Sequence, residues 1–226
     1  MFRISLTDAS LIRSVKFGHS YEDRLVLNKI CIEIEEGERV GIIGENGSGK
    51  TTLLRMMAGI FTPDSGLFNR NGNVRSFFDM GFGWEIELTG RENTYSRSVI
   101  DAQPMLSRTD YVNWVQEFSE LGDHFDKPLK TYSAGMLARL AFSMCTFGSP
   151  QVLLIDEGIG TVDSHFRKKA LRRLNEIYGE ASVLVLATHD ESLLQQLCTR
   201  GVVIYRGKIQ FDGMMNDALS YNSKNS

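Results

Sequence analysis

Gly44-Glu45-Asn46-Gly47-Ser48-Gly49-Lys50-Thr51 is a glycine-rich run closed by a lysine and a hydroxyl residue. The chemistry this pattern suits is phosphate binding. Glycines let the backbone curl until successive N–H groups converge on an anion. A helix starting at the end of the run adds its partial positive charge, and Lys50 reaches the β- and γ-phosphates of a nucleotide. The Thr51 hydroxyl is placed to ligate Mg²⁺, and Thr52 extends the phosphate-facing set into the helix. The loop alone does not say which nucleotide-driven machine this is.

Two further groups follow downstream. Val152-Leu153-Leu154-Ile155-Asp156-Glu157 reads as a buried strand ending in paired carboxylates, about a hundred residues after the loop. Asp156 suits Mg²⁺ held through its water shell, and Glu157 suits a base that polarises an attacking water. Between loop and strand lies Ser133-Ala134-Gly135, where a hydroxyl and a free backbone N–H at a helix N-terminus make an anion site. Alone, each group has an everyday structural role as a turn, a solvated strand end or a helix cap. Their order along one chain favours the chemical reading.

The elements that must position these groups follow from periodicity. Arg39–Ile43 is apolar and β-branched, as a buried strand requires, and Thr52–Ala58 has helix-forming character. Residues 2–6 and 25–34 read as strands, the second alternating apolar and charged as in an antiparallel sheet with one solvated face. Turn residues at 63–66 and 69–73 predict a short hairpin over 60–80. From Leu88 to Leu129 the pattern is helical, with Tyr111, Val112, Trp114, Val115 and Phe118 on one face. Helices are expected over Met136–Cys145, His165–Tyr178 and Leu193–Cys198, a buried strand over Ala181–Thr188 and a closing hairpin over 202–211. Residues 220–226 read as frayed. The sum is an α/β, P-loop NTPase (RecA-like) core carrying an antiparallel β subdomain and an α-helical subdomain at about 88–145, within one nucleotide-binding domain spanning 1–226.

Composition bounds the rest. Of 226 residues, 42% are hydrophobic and 23% charged, ordinary for a globular chain, and the net charge of −3 carries no basic footprint for nucleic acid. Cys31, Cys145 and Cys198 are odd in number and widely spaced, which argues for a reducing compartment, no zinc site and three small buried apolar residues. No apolar run approaches membrane-spanning length, and the N-terminus lacks the pattern of a secretion signal. Any membrane-spanning part must come from another chain.

Taken together, the phosphate loop, Asp156-Glu157 and Tyr132-Ser133-Ala134-Gly135-Met136 resemble the ATP-binding subunits of ABC transporters, whose signature element reads Leu-Ser-Gly-Gly-Gln. The resemblance implies ATP and Mg²⁺ as ligands, and a head-to-tail homodimer in which Ser133 and Gly135 contact the γ-phosphate bound by the other subunit. It implies that Asp163 is the aspartate of the D-loop and that His189, in Thr188-His189-Asp190, is the switch histidine at the γ-phosphate. It also implies an aromatic stacked on adenine. Ungapped alignment places Tyr21 there, with Phe17 and His19 as the other candidates.

Within that family the chain is similar to the subunits of capsule and O-antigen polysaccharide exporters. The similarity is strongest in Leu88-Thr89-Gly90-Arg91-Glu92-Asn93, Glu120-Leu121-Gly122-Asp123 and Lys130–Met136, with Gly81–Gly90 in place of the usual Gln-loop. That implies an ATPase energising export of a lipid-linked polysaccharide (O-antigen, capsule or teichoic-acid-like). It would work through two separate membrane permease subunits, peripheral to the cytoplasmic face of the membrane. An ABC ATPase with a non-glycan cargo, or a non-transport soluble one, is the alternative. The chain departs from the family in having no glutamine between Thr51 and Ala102. The aligned position is Met80, so Asp79, Glu85 or Glu87 would substitute. Nor is there room after Phe211 for the C-terminal carbohydrate-binding domain that some members carry.

Overall fold

The structure, a computed structural model, describes residues 3–17, 20–71, 74–76, 84–100, 105–148, 152–156 and 164–225. In chain order, β1 (Arg3–Phe17), β2 (Ser20–Glu35) and β3 (Arg39–Ile43) precede α1 (Lys50–Met57), β4 (Ser65–Arg70) and β5 (Val74–Ser76). Next come α2 (Gly90–Ile100), α3 (Met105–Ser119), α4 (Ala134–Thr146), β6 (Val152–Asp156) and α5 (Ser164–Glu180). Last are β7 (Val183–Ala187), α6 (Glu191–Leu197), β8 (Arg200–Tyr205), β9 (Lys208–Met214) and α7 (Met215–Asn225). The chain divides into two compact units, the first formed by residues 1–78, 150–157 and 181–226 and the second by 79–149 and 158–180.

Two sheets build the first unit. One has the order β5-β6-β7-β3-β8-β9, parallel from β5 through β8, with β9 antiparallel at its edge. Its inner strands are apolar along their buried middles, with Arg39, Asp156 and Arg200 only at strand ends, because both faces are covered as parallel sheets require. The other sheet is antiparallel, in the order β2-β1-β4. Ile30, Ile32 and Ile34 of β2 are buried while Cys31, Glu33 and Glu35 face out, so the period-two alternation sets the face. The inward faces of both sheets share one apolar core with Leu53, Leu54, Met56 and Met57 of α1.

Three sequence expectations need correction. The 60–80 region is not a hairpin: β4 pairs antiparallel with β1, whereas β5 pairs parallel with β6 in the other sheet. Turn residues report a local reversal, but strand partners are chosen non-locally. Residues 220–225 are not frayed. They complete α7, held by buried Met215, Ala218 and Leu219 and by Tyr221 stacked on Phe211 at 5.3 Å. Cys31 is exposed, with its sulfur accepting a hydrogen bond from the Asp8 N–H, while Cys145 and Cys198 are buried as expected. Burial pushes the Cys198 thiol up to about 12.

The second unit is helical. Tyr111, Val115, Phe125, Leu129, Leu140 and Met144 form its core, and Trp84, Trp114 and Phe147 pack around them. The start of α2 is a reciprocal cap in which the Glu92 carboxylate accepts from the Thr89 N–H and hydroxyl, both at 2.8 Å. The Thr89 hydroxyl oxygen accepts in turn from the Glu92 N–H. Asn93, 2% exposed, binds the preceding turn to this cap: its amide donates to the carbonyls of Glu85, Leu88 and Thr89 and accepts from the Glu85 N–H. Residues 127–130 lie alongside this turn, the Leu129 and Lys130 N–H groups donating to Leu88 O and Ile86 O at 3.0 Å.

Candidate nucleotide site

The parallel sheet explains why distant stretches of sequence meet. Ala187 is registered against both Ile42 and Asp156, so the C-terminal ends of β3, β7 and β6 share one edge. At about 4.8 Å per strand spacing, Asp156 lies roughly 10 Å from the β3 position that leads into the glycine loop. Ligands of open α/β sheets bind at this carboxyl edge.

Local geometry shapes the loop itself. Gly49 caps α1 with φ +113°, a left-handed conformation, and a Cβ there would approach Leu27 to 3.1 Å. No side chain caps α1 at Gly49 and its first turn carries no acid, so the positive end of the helix faces the loop unneutralised. Lys50 is only 7% exposed. Its Nζ donates to the carbonyl oxygens of Gly44 at 2.7 Å and Glu45 at 3.0 Å, which folds the ammonium back over the loop. Ser48 is buried, its hydroxyl oxygen without a hydrogen-bond partner among the described residues, and its carbonyl accepts from the Gly207 N–H.

A cleft of about 360 Å³ opens here, large enough for a small ligand. Asn46, Gly47, Gly49, Lys50, Thr51 and Thr52 line it together with Asp156 and His189. His189 follows β7, and its Nε2 lies 3.0 Å from Asn46 Oδ1, which ties the histidine to the loop. The structure therefore brings together eight of the residues expected from sequence. Gly44 and Glu45 supply the carbonyls that hold Lys50 and line a neighbouring cavity beside α7. Tyr21, by contrast, is 70% exposed and does not line the cleft. On the β2 side the wall consists of Arg24, Leu25 and Val26, and the turn between β8 and β9 adds Arg206 and Gly207. Sequence reasoning missed both arginines. The available signal was an Arg-Gly pair in a two-residue hairpin turn, where Asn-Gly is the preferred pair.

Other expected residues are placed elsewhere or lie outside the described residues. Glu157, Asp163, Asp79, Met80 and His19 belong to the last group, and of Phe17 only the backbone, at the end of β1, is described. In the second unit, Ser133 caps α4, its Oγ accepting from the Met136 N–H at 3.3 Å. A Cβ on Gly135 would touch nothing nearer than Ser133 Oγ at 3.9 Å, so the start of α4 is open to an approaching group. Glu87 is engaged with the Lys130 ammonium at 2.6 Å, and Glu85 Oε1 accepts from the Glu87 N–H at 3.4 Å.

The residues present fit a nucleotide with a hard divalent ion. Thr51 and Asp156 offer one hydroxyl and one carboxylate in one cleft, a donor set that suits Mg²⁺ completed by phosphate oxygens and water. Among the described residues no helix is long and apolar enough to cross a membrane.

Comparison with known proteins agrees with this geometry. The sequence profile of the family described as ABC transporter matches residues 27–160. The chain is 40% identical over 188 residues to the O-antigen export system ATP-binding protein RfbE of Yersinia enterocolitica, covering 83% of this chain and 79% of that protein. It is 37% identical over 184 residues to the O-antigen export system ATP-binding protein RfbB of Myxococcus xanthus, covering 81% of this chain but only 42% of the relative. The solved dimeric ATP-binding cassette MJ0796, in a post-hydrolysis state bound to ADP and Pi, superimposes with a TM-score of 0.75 at 20% identity. That match covers 94% of this chain and 98% of the cassette, and it shows the shared fold. The chain belongs to the ABC transporter family, as one of its ATP-hydrolysing subunits.

Proposed function

We propose that this subunit energises export of a lipid-linked polysaccharide through a separate membrane permease, as one half of a homodimer with two ATP sites. One observation carries the ATP chemistry: the buried Lys50 ammonium is poised on the carbonyls of its own loop, in the same cleft as Asp156 and His189. An incoming triphosphate offers Lys50 stronger, charge-assisted partners than those two carbonyls. The loop N–H groups and the α1 dipole hold the β-phosphate, and His189, supported by Asn46, faces the γ-phosphate. Thr51 and Asp156 would hold Mg²⁺, which would neutralise charge at the phosphate oxygens. Glu157, the residue after β6, takes the general-base role, and Asp163 takes that of the D-loop aspartate. Ser133 and Gly135 at the open start of α4 complete the site of the other copy.

The polysaccharide cargo, the permease and the position at the cytoplasmic membrane face are supported by the names of the two relatives, both O-antigen export proteins. Glu157→Gln is expected to retain ATP binding, accumulate an ATP-bound dimer on size-exclusion chromatography and lower phosphate release by about 10²–10³-fold. Near-normal hydrolysis in that variant rejects the base assignment. Ser133→Arg is expected to stop turnover while each protomer still binds ATP. Mixing it with Lys50→Ala restores one working site per dimer, and failure to restore it rejects the shared-site arrangement. Copurification of a polytopic membrane protein supports transport, and its absence under crosslinking favours a soluble ATPase.

A further inference from the structure

Arg24 and Arg206 line the phosphate cleft, yet each occupies a position that local structure disfavours. Tyr205 pairs with Lys208 across the β8–β9 hairpin, leaving Arg206-Gly207 as a two-residue turn with φ of +46° and +73°. Such turns favour asparagine, aspartate or glycine at the first position because a longer L side chain is strained at positive φ. The turn cannot drift away from the cleft. The Gly207 N–H donates to Ser48 O of the loop at 2.8 Å, and Gly207 O accepts from the Asn28 N–H of β2 at 2.8 Å. Arg24 lies directly opposite Arg13 in the β1–β2 register, a like-charge cross-strand pairing of the kind sheets disfavour, with the Arg13 guanidinium drawn over the Phe61 ring.

Neither arginine is compensated by a described acid. Arg24 and Arg206 form no ion pair among the described residues, whereas Arg200, nearby in sequence, is clamped by Asp212 and Glu38. The Arg206 guanidinium lies over the Tyr205 ring, 5.1 Å from its centroid, a contact that a bound base would share or displace. Locally disfavoured residues retained at a cleft mark a functional demand.

We infer that Arg24 and Arg206 grip the ribose and base of the bound nucleotide. The inference rests on ATP occupying this cleft. Phosphates anchored by Lys50 and the loop, with Asp156 and His189 at the γ-phosphate end, leave the β2 and hairpin-turn wall for the nucleoside. That wall holds two guanidinium planes and the half-exposed Leu25. Guanidinium groups stack on nucleobases with little preference among them, since every base has a π-face. The site would then tolerate GTP as well as ATP.

The test is Arg206→Asn and Arg24→Ser, singly and together, with affinity measured by calorimetry for ATP, GTP and inorganic tripolyphosphate. Because both changes remove a local penalty, each variant is expected to melt about 1–3 °C higher than the parent. Each is expected to bind ATP and GTP roughly tenfold more weakly, with tripolyphosphate affinity within about twofold of the parent. A variant of parental stability or better that binds ATP as the parent does overturns the inference. Equal losses for ATP and tripolyphosphate also overturn it, by moving the contact to the phosphates. If the parent chain binds tripolyphosphate and no nucleoside triphosphate better, the nucleotide reading itself fails.

Discussion

In the first unit, the residues proposed to meet phosphate sit at the ends of β3, β6 and β7, and the backbone bonds of a parallel sheet place them. In the second unit, the buried Asn93 amide joins the backbone of residues 129–130 in holding the turn over 85–89. An apolar core around Tyr111, Phe125 and Leu140 packs the rest, and the Thr94 and Thr146 hydroxyls donate within their own helices. Of the buried polar residues described, only Ser48 and Lys50 lie in the first unit, while Asn93, Thr94, Ser98, Ser119, Ser143 and Thr146 lie in the second. The carboxylates held below their usual range also belong to the second unit. Glu92 is lowered by hydrogen bonds from Thr89, Glu120 chiefly by the Lys169 ammonium, and Asp126 by the Arg91 guanidinium. The difference separates function from stability. The first unit is therefore expected to keep its fold when a reactive side chain is lost, whereas the second, beyond its apolar core, is expected to lean more on buried polar side chains.

The largest effect expected from this contrast is on activity. Lys50→Ala should lower ATP turnover by about 10³-fold, roughly 4 kcal/mol of transition-state stabilisation, with little change in secondary structure by circular dichroism. A globally unfolded variant would break the contrast. Asn93→Ala should do the converse. Losing four hydrogen bonds at a buried amide costs about 2–4 kcal/mol. Hydrogen exchange should then accelerate at residues 85–93 and leave the amides of β3, β6 and β7 protected. Tyr132→Phe is milder, about 1 kcal/mol, because it removes one hydrogen bond, from the hydroxyl to His124 O at 2.6 Å.

The pH dependence separates the units further. Burial pushes the Tyr132 hydroxyl up to about 12, so its stabilisation is present below about pH 10 and is lost as pH rises toward 12. Tyr132→Phe should abolish that alkaline loss in the near-ultraviolet signal. Glu92, Glu120 and Asp126 work in the opposite sense. Their stabilisation is present above about pH 4 and fades as pH falls through their depressed values. On acidification, amides of α2 and α3 should therefore lose protection before those of β3 and β7. Simultaneous loss would erase the distinction between the units.

The glycine loop was legible because its pattern is written in adjacent residues: glycines, Lys50 and Thr51 between an apolar strand and a helix. The Val152–Asp156 strand and the Ser133 cap were legible for the same reason. What escaped was non-local. The turn residues at 69–73 signalled a reversal, but not that β4 and β5 join different sheets. The polar-looking end of the chain signalled fraying, but α7 is held by Met215, Ala218 and Leu219 through burial that tertiary packing supplies. Of the aromatics suggested as a stacking partner for the base, Tyr21 does not line the cleft, whose wall on that side is Arg24, Leu25 and Val26, while His19 and the Phe17 side chain lie outside the described residues.

By itself, the sequence determined the fold class and the order of the groups suited to phosphate chemistry, because each is encoded in short runs whose periodicity and composition act locally. Only the tertiary structure decided that Asn46 and His189 meet and that Lys50 rests on its own loop's carbonyls. It alone brought Arg206 and Arg24, 182 positions apart, to one cleft. Those arrangements depend on the register of a parallel sheet and the docking of a hairpin turn, interactions between residues that no local pattern connects.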